Sequence, residues 1–281
     1  MSQQPEIFFH VGLGKVASTY LQYDVFPYFE GIRYLQRTQY KSAKRIIGTE
    51  DNARYLLSRE FDRQLEREVR DFATDFPQTR SILLLRRPDS WIASQYRRFL
   101  KNGNPWTFRE FFDIEHDRGQ WKQRELDFFG KIKTLETIFE TPPLVLFYDD
   151  LKANPMAFFQ RIADYCGAQF DPNKIDLSRR HSSYSPKQLK AMYALSRHLN
   201  LRKHQEYRWK ALNLGRRLLV NSVRYPTLYA ARWLPENTFS DVPLIAETEL
   251  SRIREAFAEN WEQCRQYANT HNPVLEAKTA G

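Results

Sequence analysis

Cysteine is scarce in this 281-residue chain: Cys166 and Cys264 lie far apart and form no metal-ligand pattern. The six histidines are equally scattered, so no metal site is expected. No apolar run reaches the roughly 18 residues that a membrane-crossing helix needs. The start, Met1-Ser2-Gln3-Gln4-Pro5-Glu6, lacks a cationic stretch followed by a long apolar one, which predicts no secretory signal. Internal repeats and low-complexity segments are missing too. These absences together predict a reducing, cytoplasmic setting. A hydrophobic fraction of 42% with 15% aromatic residues is ample for a folded core.

Positive charge is in excess, a formal +9, and it is concentrated. Between Arg197 and Pro235 nine lysines and arginines face a single acid, Glu206. Dense positive charge raises the local concentration of anions. Nucleic acid, an acidic lipid surface and a polyanionic small molecule would each satisfy it, and charge alone does not choose among them.

The first 150 residues alternate short apolar runs with amphipathic stretches. Strands are predicted over residues 7–11, 32–35, 54–58, 81–85 and 144–148. Helices are predicted over 18–29, 60–74 and 156–166. Continuous apolar strands separated by helices imply an α/β fold, a parallel central sheet flanked by helices. From Ser185 onward the pattern is helical, with Pro226, Pro235 and Pro243 as expected breaks. The economical organisation is one domain over 1–270, with an α/β core over 1–180, a helical C-terminal portion over 181–270 and a loose tail over 271–281.

In a parallel sheet, ligands sit beyond the carboxyl ends of the strands. After the first strand the chain reads Gly12-Leu13-Gly14-Lys15-Val16-Ala17-Ser18-Thr19-Tyr20. Glycines let backbone approach an anion, N–H groups at a helix start point toward it, and Lys15 adds a mobile charge. A nucleoside-triphosphatase loop would need an earlier glycine where Phe9 stands, and a hydroxyl for Mg²⁺ where Val16 stands. After the fourth strand comes Arg86-Arg87-Pro88-Asp89-Ser90-Trp91-Ile92-Ala93-Ser94, in which Arg86 and Ser94 are expected to converge on one anion.

These two segments, in this order and strand context, resemble the sulfotransferases that use 3′-phosphoadenosine 5′-phosphosulfate (PAPS), the bacterial members above all. The family's phosphosulfate loop commonly reads Gly-Leu-Pro-Lys-Thr-Gly-Thr-Thr. The resemblance places Lys15 on the catalytic lysine, Ser18 and Thr19 on the paired hydroxyls, and Tyr20 on an aromatic that stacks on adenine. Gly14, Val16 and Ala17 stand at donor-binding positions where the family has Pro, Thr or Ser, and Gly. Ala17 is tolerable there if its backbone does not need positive φ. The family's 3′-phosphate motif is matched by Arg86, Pro88 and Ser94. Tyr148, in a segment similar to the family's Tyr-Glu-Asp stretch, would contact adenine, and Arg180 is a further nucleotide contact implied by the resemblance. It covers about residues 6–200 and implies a P-loop-like three-layer sandwich.

The implied reaction displaces adenosine 3′,5′-bisphosphate in line by an acceptor hydroxyl, with Lys15 stabilising the leaving phosphate. A general base is needed, for which Glu60 is the first candidate and His10 the second. The acceptor, carbohydrate, lipid-linked or small molecule, is not legible. The basic 197–235 segment can serve an acidic acceptor, rest on an anionic membrane surface, or be a solvated helical face. A P-loop kinase using ATP is the rival enzyme, weakened by Val16 and Phe9. A basic nucleic-acid-binding protein would leave both loops without a purpose, so no nucleic acid is expected.

Overall fold

The computed structural model describes residues 4–178, 184–202 and 210–273. All five apolar runs form strands: β1 Glu6–His10, β2 Arg33–Leu35, β3 Arg54–Ser58, β4 Arg80–Leu85 and β5 Leu144–Phe147. They build one all-parallel sheet in the order β2-β3-β1-β4-β5. Ile7 through His10 are all buried, as a strand covered on both faces requires. Central β1 pairs His10 with Ser58 of β3 on one side and with Ile82 of β4 on the other. The chain leaves β1 toward β2 and β3, then crosses to β4. In sheets with such a reversal, ligands bind outside the carboxyl ends of the strands.

The helices between strands are α1 Ser18–Tyr20, α2 Ala43–Thr49, α3 Leu65–Ala73, α4 Pro88–Lys101, α5 Phe108–Phe111 and α6 Phe128–Phe139. After β5 follow α7 Tyr148–Ala153, α8 Pro155–Cys166, α9 Pro186–His198, α10 Lys210–Ala230, α11 Glu247–Ala256 and α12 Ala258–His271. Packing divides the chain into two compact units, one of segments 1–88, 125–181 and 257–281, the other of 89–124 and 182–256. The first holds the sheet. Asn272 closes it by exchanging hydrogen bonds with both backbone groups of Val145 on β5. The second buries Tyr96, Trp91 and Phe111 among other rings, and packs Met192, Leu201, Val220 and Leu228 together.

Four differences from the sequence pattern bear on the site and its surroundings. The helix expected over 18–29 is one α-turn, then a π-helical stretch Leu21–Val25 and a 3₁₀ turn Phe26–Tyr28. Apolar periodicity reports a helix without reporting its winding. The helix expected from Glu60 begins at Leu65, so Glu60 lies in a loop. Tyr148 is the first residue of α7 and not the last of β5. Pro226 lies inside α10 and does not end it.

Candidate functional site

The loop between β1 and α1 is held from three sides. Its start continues the sheet, with Val11 N–H donating to Ile82 at 3.1 Å and Phe61 N–H donating to Gly12 at 3.0 Å. Gly12 admits no side chain: a Cβ would sit 2.6 Å from His10 Nε2 and 2.9 Å from Ser18 Oγ. Ser18 is buried and donates to the Leu13 carbonyl at 3.0 Å, closing the loop on itself. Gly14 N–H donates to Asp62 Oδ1 at 2.9 Å, and Arg86 Nη1 donates to the Lys15 carbonyl at 3.3 Å.

Lys15 and Ala17 both have φ of 70°. This corrects the expectation for Ala17: its backbone does occupy the left-handed region, where a Cβ is strained by about 1 kcal/mol. Such strain survives only where surrounding contacts over-determine it, and it clusters at functional sites. The alternation also sorts the side chains. Lys15 and Thr19 are exposed, whereas Val16 is buried in the core and offers a ligand nothing but backbone.

Around this loop the structure gathers several residues singled out from sequence. Glu60 Oε1 accepts from Thr19 Oγ1 at 3.4 Å. The Arg86 guanidinium lies 4.7 Å from the centre of the Tyr148 ring, so one side chain joins the β1 loop to the tips of β4 and β5. A planar cation laid on a ring keeps its N–H edge presented in a fixed direction. Tyr20 donates to the Asp176 carbonyl at 3.1 Å, and burial together with Asp24 and Asp176 raises its pKa. Ser94 lies buried on α4, in the second unit, while Arg87 is exposed. Arg180 lies outside the described residues.

His10 is fully buried, its Nδ1 2.7 Å from Ser58 Oγ, which also accepts from Gln22 Nε2 at 3.0 Å. Its Nε2 has no hydrogen-bond partner, and burial lowers its pKa to about 4. The ring is neutral at pH 7 and props the loop through Gly12. Asp62 is the site residue that sequence reading missed. It stands two positions after Glu60, and the available signal was a second carboxylate in the same post-strand loop.

Two other features lie apart. A cavity of about 500 Å³ opens at the amino ends of the strands, lined by Glu6, Arg54, Arg80 and Tyr165, and it contains none of the residues above. Arg54 is paired there with Glu6 at 2.7 Å, and Arg80 stacks on Tyr165 at 4.4 Å. In the second unit Asp113, Glu115 and His116 come close enough to share an ion, a grouping that the sequence spacing did not suggest. Glu115 is already bridged by Arg109 and Arg252, and Asp113 accepts the N–H groups of Glu115 and His116. Ion pairing and turn formation account for this group.

A five-stranded all-parallel sheet with helices packed about it places the chain in the class of α/β proteins. The sulfotransferase domain model matches residues 23–212, more than half of the chain, and the chain belongs to that family. The matched stretch begins after the loop and includes Glu60, Arg86, Ser94 and Tyr148. Sulfotransferase 2A6 of Rattus norvegicus is 31% identical over 101 residues, 36% of this chain and 29% of the relative. Sulfotransferase 2A2 of the same organism is 32% identical over 103 residues, 37% of this chain and 30% of the relative. The aligned region thus spans under a third of either curated relative. Among solved structures, a sulfotransferase from Alicyclobacillus acidocaldarius superposes with a TM-score of 0.51 at 15% identity, over 69% of this chain and 93% of that one. This likeness shows a shared fold.

Proposed function

We propose that the chain transfers a sulfonate group from PAPS to an acceptor hydroxyl. The observation that carries this reading is the loop itself. Lys15 and Thr19 are exposed on a backbone held in strained conformation by Asp62 and Arg86, with the Glu60 carboxylate against Thr19. That arrangement suits a doubly anionic donor in front of the loop and a base beside it.

In the proposed reaction the acceptor oxygen bonds to sulfur as the bond from sulfur to the bridging phosphate oxygen breaks. The products are a sulfate ester and adenosine 3′,5′-bisphosphate. Lys15 neutralises the charge growing on the bridging oxygen, an interaction stronger in the transition state than before it. Glu60 takes the hydroxyl proton, and being in a loop it is not committed to capping α3. Arg86 offers its fixed N–H edge to a phosphate, and Tyr148 and Tyr20 offer rings to adenine. His10 is the weaker base, since it is buried and its pKa near 4 makes it a poor proton acceptor. The buried thiols of Cys166 and Cys264 suit a reducing, cytoplasmic compartment.

The test is transfer from labelled PAPS to an extract of candidate acceptors, read by mass spectrometry as a gain of SO₃. Transfer that persists in EDTA supports the reading. Transfer of phosphate from ATP, abolished by EDTA, replaces it with the kinase.

A further inference from the structure

Helix α10, in the second unit, is amphipathic with its apolar side turned outward as well as inward. Its inner side is settled: Val220 and Leu228 are buried with Met192 and Leu201, and the Leu228 carbonyl accepts from Gln188 Nε2 at 2.7 Å. A second stripe, about a third of a turn round the helix from the buried one, carries Leu214, Leu218, Tyr225 and Tyr229, spaced by four, seven and four residues. All four are exposed, Leu218 by 62%. Leu219 beside them is 67% exposed, and Trp233, just past the helix end, is 90% exposed. Several large apolar side chains exposed along one helix mark an interaction surface.

The charge of the same segment identifies what covers it. From Lys210 to Pro235 there is no acidic residue, against Lys210, Arg216, Arg217, Arg224 and Arg232. Two of these arginines have structural work. Arg224 is buried and donates to the Lys101 carbonyl at 2.7 Å, and Arg216 donates to the carbonyls of Asn200 and Arg202. Arg217 and Arg232 are exposed and have no carboxylate partner among the described residues. Outward leucines and aromatics with basic neighbours and no acid are the composition of a helix that lies in the plane of an anionic membrane surface. A second copy of the chain is a poorer occupant, because two-fold pairing would bring the same arginines together without an acid to neutralise them. No described helix is long and apolar enough to cross a membrane, so this one would lie on the surface.

We infer that the outer face of α10 docks the protein on bilayers rich in anionic lipid. This goes beyond the sulfonate-transfer reading and does not depend on it.

The experiment is co-sedimentation of the full chain with vesicles of phosphatidylcholine alone or mixed with phosphatidylglycerol, with no nucleotide present. Expected is binding at least about tenfold tighter to the anionic vesicles, weakening as salt rises. A Leu218→Glu, Leu219→Glu double variant should lose about tenfold or more of that affinity while keeping its melting temperature, because neither side chain is packed. Trp233 fluorescence should shift to the blue on binding, and a Trp233→Phe chain should lack that component. Equal binding to both vesicle types, or none to either, overturns the inference. So does a concentration-dependent dimer, seen by sedimentation velocity, that the double variant dissolves.

Discussion

The Gly14 N–H donates to Asp62 Oδ1 at 2.9 Å across 48 residues of chain. The bond ties the loop after β1 to the loop after β3, beside a lysine and an alanine both held at φ of 70°. Proline at position 14 has no N–H and could not make it.

Removing that acceptor takes away a hydrogen bond that ties the two loops together next to strained backbone. Asp62→Ala should cost about 1–2 kcal/mol, a fall in melting temperature of about 2–4 °C for a chain of this size. Asp62→Asn keeps an oxygen acceptor and should recover most of it. An alanine variant that melts with the parent would show that the loop is held without Asp62.

His10 predicts a specific acid sensitivity. Burial lowers its pKa from 6.5 to about 4, so the unfolded chain binds this proton more readily than the folded one. The stability it contributes is therefore complete above pH 6.5, declines as pH falls toward 4, and changes no further below that. A difference of this size corresponds to about 3 kcal/mol. Denaturant unfolding followed between pH 7 and pH 4 should show the loss, and His10→Gln should remove it from the profile. An unchanged slope in the variant would assign the acid sensitivity to other groups.

Much of this arrangement was legible because it follows from short-range pattern. The five apolar runs became the five strands, since continuous burial allows few alternatives, and the chain after β1 and β4 announced itself by Gly14, Lys15 and Arg86. What stayed hidden depends on contacts between distant segments. Asp62 looks like any loop acid until Gly14 is placed against it. The π winding of Leu21–Val25 has the same apolar spacing as an α-helix over so few residues. Pro226 looks like a stop, yet helix packing through Val220 and Leu228 carries α10 past it.

Ala17 offers a test of loop strain. At φ of 70° its methyl group is penalised, and glycine there removes the penalty at some cost in unfolded-state entropy. Ala17→Gly should leave stability equal or raise it by up to about 1 kcal/mol, measured as a melting temperature. A clear loss of stability would mean that the methyl group packs favourably enough to outweigh the strain.

Lys15 should matter to turnover more than to binding. If it acts on charge that appears only as the leaving group departs, Lys15→Ala should lower kcat by about a hundredfold or more. The affinity for adenosine 3′,5′-bisphosphate, measured by calorimetry, should change only a few-fold. Equal losses in kcat and in product affinity would recast Lys15 as an anchor for the bound nucleotide.

Arg86 joins three strand tips in one side chain, through the Lys15 carbonyl and the Tyr148 ring. Its proposed value lies in planarity as well as charge, which separates two substitutions. Arg86→Lys keeps the cation but loses the fork and the stacking, and a lysine at such a site is not a conservative replacement. It should weaken adenosine 3′,5′-bisphosphate binding by about tenfold, and Arg86→Ala by more. Tyr148→Leu should fall near the lysine variant, because it leaves the guanidinium charged but free to turn. If Arg86→Lys binds the nucleotide as tightly as the parent while Tyr148→Leu does not, then the ring's own contact with adenine carries the affinity and the stacked guanidinium is incidental to it.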